Sequence, residues 1–193
     1  VATSRRPTPE NSNVAFVSST MTRNLTAQRR YKEIEDYLRG EGFGRRKWAW
    51  NRTSGRYVDV VTLQTSKARD AITVNLGIAD PRIYEQVWAA PLPAFADEAM
   101  CVVRSRLAAL ADGRDRWWSF SSSDIAVDMV LTIRQYGMPF FERLHSDGAL
   151  IDFLDQSGQA KYPPEVLYHA LLLHREGRRD AACAVLKAFA SQS

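Results

Sequence analysis

RYVDVVTLQTSKARDAITVNLGIA, residues 56–79, holds two β-rich runs, Tyr57 to Thr65 and Ala71 to Ala79, on either side of a polar link, Ser66-Lys67-Ala68-Arg69-Asp70. Branched and aromatic runs flanking such a link predict a β-hairpin with a longer loop. In the second run Ile72, Val74, Leu76 and Ile78 alternate with Thr73, Asn75 and Gly77. Successive side chains of a strand point to opposite faces, so one face of this sheet is expected to be apolar and the other polar. Upstream, RRKWAWNRTSGRY is read as a further strand with Trp48 and Trp50 on one side and Lys47, Ala49 and Asn51 on the other, before Thr53-Ser54-Gly55 turns into the hairpin. Runs joined by such short turns predict an antiparallel meander.

Downstream, Asp80 to Asp97 is interrupted by Pro81, Pro91 and Pro93 and is expected to be a partly packed connection. Ala99 to Ala111, AMCVVRSRLAALA, is expected to be a strand through about Leu107, with Cys101, Val103 and Leu107 directed inward. Arg104 and Arg106 then face outward beside Thr73 and Asn75, which makes the open face polar and partly cationic. Asp59 interrupts the branched run Val58-Asp59-Val60-Val61. Alternation puts it with Val61 and Leu63, and only a bulge would carry it to the face of Gln64 and the arginines.

The flanks are helical. From about Thr20, Leu25, Tyr31, Ile34, Tyr37 and Leu38 fall near helical spacing, and Gly40 and Gly42 stop the run. Ser123-Asp124 is expected to cap a helix through Ile125, Met129, Ile133 and Tyr136 to Gly137, with Pro139 as its stop. PFFERL, DGALIDFLDQSG, PPEVLYHALLLHREG and RRDAACAVLKAFA follow, the last two forming a helical hairpin that resembles one tetratricopeptide-like unit. One such unit cannot bury its own faces, so it should pack on the preceding helices or a second chain. The organisation expected is an α+β fold: a disordered arm over 1–19, a domain over 20–156 with an N-terminal helix and an antiparallel sheet of about four strands, and a hairpin over 157–193 appended to it.

Composition sets outer limits. A chain of 193 residues is long enough for one core without covalent staples. The two cysteines, Cys101 and Cys183, have no CxxC or Cys/His cluster beside them, and both are read as buried thiols in a reducing compartment. A net charge of +4 permits an acidic or nucleic-acid partner without requiring one. No run approaches a membrane span, and the cytoplasm is expected.

The order of several signals is similar to that of a known family. Gly42-Phe43 ending the first helix, Asn51-Arg52 after the tryptophans, Val60-Val61-Thr62-Leu63-Gln64, Val74-Asn75-Leu76-Gly77, Cys101 to Leu107, Trp117-Trp118 and Gly137-Met138-Pro139-Phe140-Phe141 resemble the bacterial family catalogued as domain of unknown function 4304, over about Met21 to Asp155. Leu107-Ala108 stands where Leu-Gly is expected. The resemblance implies a bacterial α+β domain and no particular activity.

Catalytic motifs are missing from the sequence: it has no GxSxG elbow, no phosphate-cradling glycine loop and no HExxH. His169 and His174 are five apart on one predicted helix, so their rings diverge; His169 with Glu165 is better spaced but is one pair only. No catalytic residue, metal or cofactor is expected. The first expectation is a non-enzymatic protein that docks a protein partner on the polar sheet face through Gln64, Asn75, Arg104 and Arg106, with Asp59 if a bulge exists. An immunity- or antitoxin-like role fits by analogy of fold alone. The second is a nucleic-acid-binding protein using Arg45, Arg46, Lys47, Trp48 and Trp50 with Arg104 and Arg106. The third is an enzyme with an unrecognised site, for which a deep pocket holding Asp59 and a second titratable group would speak. Of Trp117 and Trp118, adjacent and therefore opposed, at least one is expected in the core.

Overall fold

The computed structural model describes residues 32–160 and 162–191. The expected arm over 1–19, and the start of the helix near Thr20, lie outside the described residues. Helix α1 spans 32–40 and buries Ile34 and Leu38; Gly42, at φ 87°, then turns the chain so that the Phe43 amide donates to the Leu38 carbonyl. A backbone at that φ favours glycine, which is why the helix ends here.

An antiparallel sheet follows in the order β1 (Gly44–Arg46), β2 (Ala49–Ser54), β3 (Tyr57–Thr65), β4 (Ala71–Ala79) and β5 (Val103–Arg106), with the two-residue β6 (Trp118–Ser119) also paired to β4. Both hairpin strands have the ends that their alternation predicts. The register is continuous from Val58 opposite Ala79 to Thr65 opposite Ile72. Asp59 therefore stays on the side of Val61 and Leu63, and the bulge needed to bring it to the open face does not form.

Three expectations about elements need correcting. Trp48 and Trp50 do not share a strand side: Lys47 takes a left-handed φ of 55°, the chain reverses, Trp48 sits in the β1–β2 turn at 49% exposure and Trp50 is fully buried. The stretch after β4 is a helix, α2 (Pro81–Trp88), rather than a connection. Asp80 caps it by accepting from the amides of Arg82 and Ile83, and Pro81 at its first turn has no amide that needs a partner. Pro139 likewise fails to stop its helix. The chain runs from α4 (Ile125–Thr132) through a π-turn at Ile133–Gly137 into α5 (Met138–Arg143). The wider turn, in which the Met138 amide reaches the Ile133 carbonyl, makes room for a residue that lacks its own amide.

Strand β5 ends at Arg106, and Leu107 opens the short helix α3 (Leu107–Asp112). The dry sheet face carries Trp50, Val61, Val74, Leu76, Ile78 and Val103, and packs with Leu107, Met129, Ile133 and Phe141 into one core. Trp118 is buried with its indole donating to Asp128, whereas Trp117 lies half-buried beneath the Arg106 guanidinium. Beyond α6 (Asp147–Ser157), helices α7 (Pro163–Arg175) and α8 (Arg179–Ala190) form the expected hairpin. Tyr168, Leu172, Leu173 and Ala182 of this hairpin belong to the same core as the sheet. Cys101 is buried as expected, but it precedes β5 and packs with Val60 and Ala79 on the other sheet face instead of beside Val103 and Leu107, and Cys183 is exposed on α8, where the face turned from the core leaves it in solvent.

Candidate functional site

The polar face of the sheet is divided in two. Over one half runs the segment 89–102, whose Ala96 and Cys101 pack with Val60 and Ala79 in a second small core, joined by Val58 and Leu92. The Asn51 amide fastens this roof at both of its atoms, donating to the Ala96 carbonyl at 3.1 Å and accepting from the Ala96 amide at 2.6 Å. Gly77 permits the close approach: a Cβ there would lie 2.5 Å from the Cys101 sulfur. Burial pushes the Cys101 thiol well up from its ordinary pKa, so at neutral pH it is a packed thiol and no nucleophile.

The other half stays open as a groove of about 720 Å³. Thr62, Gln64 and Asn75 form its floor, the Asn75 amide donating to Gln64 at 3.0 Å. Arg46 at the end of β1 and Lys47 and Trp48 of the β1–β2 turn border it, as do Phe95, Asp97, Glu98 and Met100 at the edge of the roof. Glu98 is half-buried. Burial holds its carboxyl above the ordinary carboxylate range, against the pull of Arg104, and the Thr62 hydroxyl is a hydrogen-bonding neighbour. The groove thus combines neutral hydrogen-bonding groups, apolar side chains and two borders of opposite charge.

Of the seven sequence-derived candidates, Gln64, Asn75 and Trp48 meet at the groove. The others do not. Trp50 is inside the core on the opposite face. Arg106 lies opposite Asn75 on β5 as expected, but its guanidinium is taken by Asp115; Arg104 lies opposite Gly77 and is taken by Glu165 of α7. Neither reaches Asp59. The roof residues Phe95, Asp97, Glu98 and Met100 were missed because the proline-broken stretch before them has no periodicity from which a face can be read. Thr62 was missed as well, although alternation puts it on the face of Gln64, two residues away on the same strand.

A second polar cluster lies at the far side of the sheet. Asp59, fully buried, accepts twice from Arg52, at 2.8 and 3.0 Å, and contacts His145 Nε2 at 2.7 Å. Ser54 Oγ is 3.4 Å from His145 Nδ1, and the ring stacks on Tyr57. The order serine, histidine, aspartate invites a catalytic reading. Its arrangement is that of a clamp instead: Arg52 already engages the carboxylate, the serine is at the limit of hydrogen bonding, and the groove opens on the opposite face. The pair ties the junction of α5 and α6 to β3. Beside it, Asp147 and Asp80 share Arg56 and Arg175, with the Tyr57 hydroxyl on Asp147.

Helix α7 does not assemble the metal pair. Glu165 turns to Arg104, while His169 lies 3.2 Å from Asp155. Among the described residues no group of three or more His, Cys, Asp or Glu is placed to hold a metal ion, and no helix is long and apolar enough to cross a membrane.

Comparison with protein families gives a match over residues 34–143 to the family described as Domain of unknown function (DUF4304), more than half of the chain. The chain belongs to the DUF4304 family. The matched span starts and ends inside the stretch of about 21–155 read from motifs. It takes in the whole sheet, the roof and the groove, and it stops at the end of α5, so α6 and the α7–α8 hairpin lie beyond the DUF4304 match. No curated protein and no solved structure matches the chain.

Proposed function

We propose that this DUF4304 chain is a non-enzymatic binding protein of the bacterial cytoplasm that receives a segment of a partner protein in the open half of its polar sheet face. The observation that carries this reading is the groove itself, held open between a turn and a roof that Asn51 fastens to the sheet. Its mixture of amides, a hydroxyl, aromatic rings and charges of both signs suits a polypeptide, which offers main-chain hydrogen bonds and side chains together. An immunity- or antitoxin-like role is one form that such binding takes.

The pairing of three of the cationic groups weighs against a nucleic acid. Arg45 is engaged by Glu35, Arg104 by Glu165 and Arg106 by Asp115, and the carboxylates of Asp97 and Glu98 at the groove would repel phosphates. The test is recovery of the full chain from its native cell with whatever protein accompanies it in a fixed ratio. Gln64→Arg, which fills the groove floor from an exposed position, is expected to abolish that complex and leave the melting temperature within a few degrees. A complex untouched by Gln64→Arg, or tight salt-dependent binding of oligonucleotides by the wild type, would overturn the reading. Arg104→Glu is a poor probe, because it would set a second carboxylate against Glu165.

A further inference from the structure

We infer that the groove selects a partner segment carrying one lysine or arginine side chain, with Glu98 as its counter-ion. The inference rests on the groove-binding reading and narrows it to a chemical class. Glu98 is half-buried at the roof's edge, beside Asp97, in a groove whose floor of Thr62, Gln64 and Asn75 supplies hydrogen bonds but no charge. The two guanidiniums whose field it feels are engaged by other carboxylates, Arg104 by Glu165 and Arg106 by Asp115. A carboxylate withdrawn from water without a close cation is costly to keep ionised, and an incoming ammonium or guanidinium removes that cost. Phe95 and Met100 give the alkyl stem of such a side chain an apolar surface, as these residues line the same border. Arg46 and Lys47 border the groove at the turn and would repel a second cation there. The complementary segment is therefore an extended peptide with a single basic residue at the roof and neutral or acidic residues toward the turn.

The test uses the full chain and a phage-displayed library of random peptides. Enriched sequences are expected to share one lysine or arginine. A synthetic copy of the strongest binder should lose at least about tenfold in affinity, the equivalent of ~1.4 kcal/mol, when that residue is replaced by methionine. Glu98→Gln should cost the same factor, and the two losses should not add, because each removes the same ion pair. Glu98→Gln is expected to fold, with a neutral-pH melting temperature no lower than wild type, since it discharges a partly buried site. Peptides that are blocked by Gln64→Arg but indifferent to Glu98→Gln would overturn the basic-residue inference and leave the groove standing. Peptides indifferent to both variants, or a selection that enriches nothing, would overturn the inference and the groove reading together.

Discussion

Gly77 shows how a single missing side chain shapes the binding face. An added Cβ would meet the Cys101 sulfur at 2.5 Å and its Cβ at 2.9 Å, and neither belongs to a long side chain that can swing aside. Gly77→Ala is expected to destabilise the protein by about 1–3 kcal/mol, the usual range for overpacking, and to loosen the roof against the sheet. Adding Cys101→Ala should recover only part of the loss in urea unfolding, because the Cβ contact survives. Full additivity of the two changes would show that the roof does not press on the strand here. Asp59 makes the complementary case. Alternation placed it on the inner face, but its partners Arg52 and His145 come from β2 and from the α5–α6 junction, which no periodicity links to it. Removing one member of a buried, hydrogen-bonded pair leaves the others uncompensated, so Asp59→Asn should cost about 3 kcal/mol by denaturant melts. Trp48 was misplaced for a related reason. The reversal after β1 uses Lys47 in a conformation that glycine or asparagine normally marks, so the sequence carries no turn signal there.

At the scale of elements, the hairpin of β3 and β4 was legible because alternation, branched residues and a polar link all agree. The elements around Pro81 and Pro139 were not. Proline reads as a breaker, yet Pro81 opens α2 and Pro139 lies in a helix whose preceding π-turn accommodates it. Both outcomes depend on neighbours, the Asp80 cap in one case and the core around Ile133 in the other. The α7–α8 hairpin was legible as a unit, whereas its attachment was not. Arg175, in the last turn of α7, lies 2.8 Å from the fully buried Asp80 and 3.1 Å from Asp147, and the Trp88 indole donates to the Tyr168 hydroxyl at 2.8 Å. Arg175→Met keeps the apolar stem but removes one of the two guanidiniums shared by two buried carboxylates, leaving Arg56 alone beside them. It should lower stability by several kcal/mol, of the order of a broken buried pair, while unfolding remains a single transition for hairpin and sheet. Separate transitions, seen as noncoincident fluorescence and circular-dichroism curves, would show that α7 and α8 fold apart from the family domain.

For the whole molecule, the buried His169 and the half-buried Glu98 act in opposite directions, and their windows separate stability from binding. Burial lowers the pKa of His169 from 6.5, with Arg178 adding to the effect and Asp155 opposing it. Below about pH 6.5 the unfolded chain then binds the proton more tightly than the folded one, so stability falls as the solution is acidified through that range. Glu98 has its pKa raised above 4.5, so between 4.5 and its folded value the folded chain holds the extra proton and stability rises on acidification. The same protonation discharges the groove. Melting temperatures measured between about pH 7.5 and 4.5 should therefore decline first through the histidine window, and His169→Gln should flatten that decline without altering peptide affinity at neutral pH. Glu98→Gln should leave the histidine-dependent decline in place and abolish the acid weakening of binding to a lysine- or arginine-bearing peptide. If one substitution removed both pH dependences, the groove and α7 would be titrating as a single coupled unit, and the assignment of binding to Glu98 would fail.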